Sequence, residues 1–426
     1  MKLRASPSGP IQGQAAIPGD KSLSHRALVI GALAKGETRI AGSLEADDVM
    51  ATVEALRAFG IDVTKQGDDW LVRGGEWQSP DEPIDCGNSG TTARLLMGAA
   101  AGFGLTATFT GDESLRRRPM RRVTEPLKRM GARFEGGDQL PITLQGGGLD
   151  GIDHRSDVAS AQVKSAILLA GLNAAGDVTV AEPAESRDHT EIMLREFGGE
   201  VDSRDGRVSL GANRRLTSRA IAIPGDPSSA TFAWLAAAIV PNSEVVVRDV
   251  LLNRLRSGFI VALQRMGGDV ALDNVRGRDG ETIGDVRVRH SPLFGADFTA
   301  EEIPSMIDEI PALAIAAAFA RGETLIEGLG ELRHKESDRL SGMADGLIAC
   351  GVGAGVEGDA LRIVGGGARG GEVATHGDHR LAMAFAVLGL ASEGPVTVDR
   401  AEMIATSFPT FADTMRSLGA RIDELE

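Results

Sequence analysis

Tyrosine is absent from the 426 residues, and 13 phenylalanines and 3 tryptophans leave aromatics at only 4%. A chain so poor in stacking platforms is ill suited to reading nucleic-acid bases. Positive charge is not in excess either. The 45 Lys+Arg against 60 Asp+Glu leave a net charge of −15, which opposes an extended nucleic-acid surface. Cysteine is scarce: Cys86 and Cys350 stand in unrelated contexts without a Cys-x-x-Cys spacing. That pattern argues against a structural zinc site and fits buried free thiols in a reducing compartment. The 7 histidines are scattered without metal-ligand spacing, so no metal is expected. No apolar run reaches membrane-spanning length and the N-terminus lacks a secretory h-region, so the expectation is a cytoplasmic protein with no membrane association.

What remains, 42% hydrophobic and 25% charged, is an ordinary soluble composition. The length is large for a single core, so two domains are the default. Basic residues bunch locally, at Arg116–Arg118, Arg121–Arg122, Arg333 to Arg339 and His379–Arg380. Clusters of this kind suit a small anionic ligand better than a polyanion.

The stretch Pro18-Gly-Asp-Lys-Ser-Leu-Ser-His-Arg26 organises the rest. Pro-Gly-Asp makes a turn, Asp20 or Ser22 can N-cap, and the apolar run Ala27–Ala34 predicts a buried helix. Lys21 and Arg26 thereby lie at a helix start, where free N–H groups and the helix dipole attract a phosphate or carboxylate. The skeleton returns 206 positions later as Pro224-Gly-Asp-Pro-Ser-Ser-Ala-Thr-Phe-Ala233, with Pro227 for Lys21 and Phe232 for Arg26. The element is duplicated but its charge is not, which favours a functional role for the two cations over a solvated surface pair.

Internal repeats set the fold class. Small-residue apolar helices, each followed by a turn and a β-branched strand, are expected at Ser22–Ile40, Thr91–Phe109, Gln162–Val180, Ser228–Val247, Ile310–Ile326 and Arg380–Val398. Glycine serves as C-cap in the turns at Gly36, Gly176 and Gly322. A second, amphipathic helix follows each, at Val49–Val63, Val123–Phe134, His189–Val201, Ile260–Val270, Leu340–Val352 and Phe411–Ile422. The chain is thus read as α/β, with two similar domains of three helix–strand–helix–strand units and a period of about 70 residues. The boundaries are expected near Ile17 and Pro241: residues 17–241 form the N-terminal domain, and 1–16 plus 242–426 form the C-terminal one. A cleft between two such domains is a natural ligand site.

Further polar groups gather at helix starts: Asn88-Ser-Gly-Thr91, Ser160-Ala-Gln-Val-Lys164, Asp308-Glu309 and His376-Gly-Asp-His-Arg380. Glu331-Leu-Arg-His-Lys-Glu-Ser-Asp-Arg339 is the densest charged stretch. Most such runs are solvated helix starts with i,i+4 pairing. This one follows a strand, opens an amphipathic helix and sets Glu336 beside Lys335, where an ammonium can tune a carboxylate for proton transfer.

Taken in order, Pro18 to Arg26, Asn88 to Thr91, Leu115 to Pro119, Ser160 to Ser165, Leu332 to Arg339 and Gly377 to Arg380 resemble the 5-enolpyruvylshikimate-3-phosphate synthase family over nearly the whole chain. Met306-Ile-Asp308 and Thr406-Ser-Phe-Pro409 are similar to its class II members. The resemblance implies the enolpyruvyl transferase fold, an inside-out α/β barrel in each domain, with the active site in the interdomain cleft. It implies a monomeric transferase that moves the enolpyruvyl group of phosphoenolpyruvate to the 5-hydroxyl of shikimate 3-phosphate and releases phosphate, without cofactor or metal. By position, it implies catalytic roles for Asp308, Glu336 and Lys21. Phosphoenolpyruvate would be held by Lys21, Gly90, Arg118, Gln162, Arg339 and Arg380. Shikimate 3-phosphate would be held by Lys21, Ser22, Arg26, Ser160, Ala161, Gln162, Arg187, Asp308 and Lys335. Three positions depart from the wider family: Thr406 stands where many members have lysine, and Ala161 and Arg187 replace serines. The related transferase acting on UDP-N-acetylglucosamine uses a loop cysteine and lacks the Lys-Ser-x-Ser-His-Arg cluster. A catalytically dead anion-binding protein would not need Asp308 and Glu336 together.

Overall fold

A computed structural model describes residues 1–425. The six expected apolar helices occupy Lys21–Leu33, Gly90–Ala101, Ala161–Gly171, Pro227–Ile239, Ile310–Ala318 and His379–Ala391, each starting within one residue of its expected position. They are rich in Ala and Gly and buried almost throughout, which leaves no wet face on which charge could be placed. Six amphipathic helices follow them, at Asp47–Ala58, Arg121–Arg129, His189–Glu196, Gly258–Arg265, Arg339–Ala349 and Phe411–Ser417. Among the described residues the strands form six sheets of four strands each. In every sheet a parallel pair leads into antiparallel strands. The repeat is therefore strand, buried helix, strand, amphipathic helix, hairpin. Gly36, Gly176 and Gly322 adopt φ of +108°, +81° and +97°, the left-handed backbone that the turns after buried helices require.

The chain divides into two compact units: Gly19–Ile223 with Arg278–Glu281, and Met1–Pro18 with Pro224–Gly277 and Thr282 onward. The second crossing thus falls before the fourth buried helix, not after it near Pro241. The reason is a strand exchange. Gln12–Gln14 precedes the first buried helix but pairs in parallel with Glu244–Leu251, while Ala220–Ala222 precedes the fourth and pairs with Gly36–Ala41. Each copy of Pro-Gly-Asp is where the chain leaves one unit and starts the other's helix. Each unit then holds three buried helices. In the N-terminal unit, the helices Gly90–Ala101 and Ala161–Gly171 approach so closely that a Cβ on Gly98 would lie 2.4 Å from the carbonyl oxygen of Ala166. In the C-terminal unit, strand Lys2–Ser6 is central in its sheet, between Val396–Val398 and Arg421–Leu425.

No helix among the described residues is long and apolar enough to cross a membrane. Cys86 and Cys350 are buried and free; burial, with Asp85 nearby, raises the Cys86 thiol to about 12, and burial raises Cys350 to about 11. Thiols held protonated in this way are inert.

Candidate active site

In the N-terminal unit the candidate groups come from the starts of three buried helices and from two connecting segments, which supply Arg118 and Arg187. Asp20 caps the first by accepting from the Leu23 amide at 2.7 Å, which settles the choice between Asp20 and Ser22. Lys21, the first helical residue, forms an ion pair with Asp48 from the first turn of the next helix. Arg26, one turn on, is only 3% exposed. Its Nε donates to Thr190 Oγ1 at 2.7 Å, and its terminal nitrogens donate to Ser165 Oγ and the Ser22 carbonyl at 3.0 Å each. Arg26 is therefore a buried cross-link between helices, not a solvated cation at the helix mouth.

Ser89 caps the second helix, so that Gly90 and Thr91 begin it. Gln162 of the third helix donates to Thr91 Oγ1 at 2.8 Å and accepts from Arg94 at 2.6 Å. Arg118 is buried, donating to Asn88 Oδ1 at 2.7 Å and Ser114 Oγ at 3.2 Å. A Cβ on Gly90 would lie 2.7 Å from an Arg94 nitrogen and 3.4 Å from an Arg118 nitrogen. Gly90, Arg118 and Gln162 are thus brought together, with Arg94 between them. Ser160 caps the third helix, Ala161 is its first residue, and Arg187 lies half-buried in the loop before His189–Glu196.

In the C-terminal unit everything converges on Arg339, whose side chain is 1% exposed. Its Nε donates to Asp378 at 2.7 Å, one terminal nitrogen pairs with Glu336, and the other reaches Asp308 at 3.4 Å. Burial alone would weaken its charge, but Asp378, Glu336 and Asp308 outweigh that and hold the guanidinium firmly protonated. Lys335 lies 3.7 Å from Asp308, and Arg380 donates to the Asp308 carbonyl at 3.2 Å. Asp378 caps the sixth buried helix, which fixes Arg380 at its second position. The five expected residues Asp308, Lys335, Glu336, Arg339 and Arg380 form one cluster. The charged stretch that supplies three of them is a 3-10 turn, Gly330–His334, and a linker; the helix begins only at Arg339. In this cluster the cations Lys335, Arg339 and Arg380 stand among the carboxylates Asp308, Glu336 and Asp378. Thr406 is buried, and its hydroxyl donates to the Met403 carbonyl at 2.7 Å.

Sequence reasoning missed Asp48, Arg94, Asp378 as the main partner of Arg339, and Glu182, which accepts the Ser160 amide at 2.7 Å. Arg94 carried a signal, as the one charged residue in an otherwise uncharged apolar helix, a turn after Gly90. Asp48 and Glu182 carried none, because their partners, Lys21 and the Ser160 amide, lie more than 20 residues away in the sequence and only folding brings them together.

Residues 5–415 match the family model EPSP synthase (3-phosphoshikimate 1-carboxyvinyltransferase). The chain is 52% identical to a 3-phosphoshikimate 1-carboxyvinyltransferase of Caulobacter vibrioides, covering 99% of both chains. It is 52% identical to the one from Phenylobacterium zucineum, over 99% of this chain and 95% of that one. A solved EPSP synthase from Acinetobacter baumannii superposes with a TM-score of 0.88 at 39% identity, over 99% of this chain and 100% of the other.

Proposed function

Because the chain belongs to the EPSP synthase family, we propose that its two clusters of helix-start residues divide the work of one enolpyruvyl transfer. The reaction moves the enolpyruvyl group of phosphoenolpyruvate to the 5-hydroxyl of shikimate 3-phosphate and releases phosphate. It is a step of aromatic amino-acid biosynthesis carried out on the two-domain enolpyruvyl transferase fold. Both substrates are small anions, so the affinity comes from Lys21, Arg118 and Gln162 on the phosphoenolpyruvate phosphate and from Arg339 and Arg380 on its carboxylate. Planar guanidinium forks suit that last task. Ser22, Arg26, Ser160, Ala161, Arg187 and Lys335 hold shikimate 3-phosphate, Asp308 faces its reacting hydroxyl, and Gly90 leaves the phosphoenolpyruvate pocket open.

The observation that carries this reading is the Arg339 cluster. Glu336 and Asp308 occupy positions on the guanidinium that a substrate carboxylate can take over. An incoming phosphoenolpyruvate carboxylate exchanges with Glu336, and a carboxylate released from its cation gains basicity. Asp308 and Glu336, with Lys21, then move protons to the methylene carbon and away from the 5-hydroxyl, and take the methyl proton back as phosphate leaves a tetrahedral ketal phosphate. The cations around both anions stabilise charge as it develops. The expected form is a monomer in the cytoplasm, a reducing compartment in keeping with two buried free thiols.

The test is phosphate release. It is expected from phosphoenolpyruvate only when shikimate 3-phosphate is present, and to persist after exhaustive chelation. Turnover with UDP-N-acetylglucosamine in its place, or loss of activity on chelation, would overturn the reading.

A further inference from the structure

Lys164 has no role in the reaction as described, yet it is the most deeply enclosed ammonium of the N-terminal unit's network. Its side chain is 3% exposed, and Nζ lies 3.0 Å from Glu182 and 2.9 Å from Glu191, themselves 4% and 1% exposed. It also donates to the Ser186 carbonyl at 3.1 Å. Two buried carboxylates share this cation. Such triads contribute little net stability, because desolvating the charges costs about as much as their attraction returns. What they hold in place is the better clue to their use.

Glu182 grips two segments at once. One carboxylate oxygen accepts the Ser160 amide at 2.7 Å, and the other accepts the Ser186 hydroxyl at 2.7 Å, one residue before Arg187. The Ser160 hydroxyl is left only loosely engaged, 3.5 Å from the Val163 amide, and so remains available to a ligand. On the far side, Lys164 and Glu191 tie the third buried helix to His189–Glu196. The neighbouring hydroxyls, Ser165 and Thr190, lie 2.6 Å apart and both accept from Arg26. Of the groups assigned to shikimate 3-phosphate, Ser160 is held directly by the triad, Arg187 follows the Ser186 that Glu182 grips, and Arg26 bonds hydroxyls next in sequence to Lys164 and Glu191.

We propose that Glu182, neutralised by Lys164, is a positioning residue that sets Ser160 and the Arg187 loop for shikimate 3-phosphate, while the Lys164–Glu191 pair sets the hydroxyls around Arg26. This rests on the site reading above, and the experiment separates the two. Steady-state kinetics and calorimetric titration with shikimate 3-phosphate are run on Glu182→Ala, Glu182→Gln and Arg187→Met. Arg187→Met tests the site reading: an unchanged shikimate 3-phosphate KM removes Arg187 from the site. For the proposal, Glu182→Ala is expected to raise the KM and Kd for shikimate 3-phosphate by roughly tenfold or more, the scale of a lost charged hydrogen bond. The phosphoenolpyruvate KM, measured at saturating shikimate 3-phosphate, is expected to stay within about twofold. Glu182→Gln keeps an acceptor for the Ser160 amide and should recover part of the loss; it also serves if the alanine variant does not fold. A lower melting temperature with both KM values unchanged, or both KM values raised equally, overturns the proposal.

Discussion

At the scale of single residues the Arg339 and Arg118 clusters make opposite kinetic predictions. Glu336→Gln preserves shape but removes a titrating carboxylate from beside Arg339, so kcat should fall roughly a hundredfold or more with a smaller change in KM. Arg118→Ala removes a guanidinium that Asn88 and Ser114 hold in place, so the phosphoenolpyruvate KM should rise strongly. Matching kinetic patterns in the two variants would show that the roles are misassigned. Gly90 gives the sharper test. A methyl there meets the ends of Arg94 and Arg118, flexible groups that can yield, and on the proposed assignment it narrows the phosphoenolpyruvate site beside them. Glyphosate, the family's inhibitor, is longer than phosphoenolpyruvate and has less room to adjust. One methyl clash costs on the order of 1–3 kcal/mol. Gly90→Ala is therefore expected to raise the glyphosate inhibition constant at least roughly tenfold with a smaller change in the phosphoenolpyruvate KM. An unchanged ratio of the two constants with a lower melting temperature would make Gly90 a helix-entry turn and nothing more. Residues of this kind were legible because a charge or a glycine at the mouth of an apolar helix stands out. Asp48 and Glu182 were not, since a surface-like carboxylate acquires meaning only when folding brings Lys21 or the Ser160 amide to it.

At the scale of elements, composition was enough to place all six buried helices, because a run without charge has to lie inside. Composition said nothing of what crosses between them. His25 of the first helix contacts Thr52 Oγ1 at 2.7 Å, Thr52 contacts Thr92 at 2.7 Å, and Thr92 donates to Ser89 at 2.7 Å, a polar chain through a packed interior. Burial, then Lys21 and Arg26, holds the His25 imidazole well below its ordinary value. The sign follows directly. The folded ring stays neutral while the unfolded ring takes a proton below about pH 6.5, so stability is lost as pH falls from there toward the folded value. The slope for one proton is about 1.4 kcal/mol per pH unit. The stability difference between the natural protein and His25→Gln, measured by denaturant unfolding at pH 7.5 and 5.0, should shift in favour of the glutamine variant at the lower pH. A constant difference would mean that His25 is not held neutral by the fold.

At the scale of the whole molecule, the repeat count and the return of the N-terminal strand to the C-terminal unit were legible in the sequence, but the second crossing was not. Periodicity locates helices and strands; it does not reveal that the strand before each Pro-Gly-Asp turn pairs with the other half of the chain. The first residues belong to the C-terminal unit as well, and they matter to it out of proportion to their number. Strand Lys2–Ser6 is hydrogen-bonded on both sides, Leu3 and Ala5 are 2% and 0% exposed, and a Cβ on Gly389 would lie 2.9 Å from the Ala5 carbonyl oxygen. The strand therefore packs against the sixth buried helix, whose first turn carries Arg380. Leu3→Ala should cost about 2–5 kcal/mol through the cavity it leaves. Removing residues 1–6 should do more, since it opens the sheet at its centre and leaves two strand edges unpaired. The N-terminal unit takes no strand from this segment, so limited proteolysis of the truncated protein should digest Pro224 onward first and leave a resistant fragment spanning Gly19–Ile223. Simultaneous loss of both units would show that the first strand supports the entire chain, and equal resistance of both would show that the sheet closes without it.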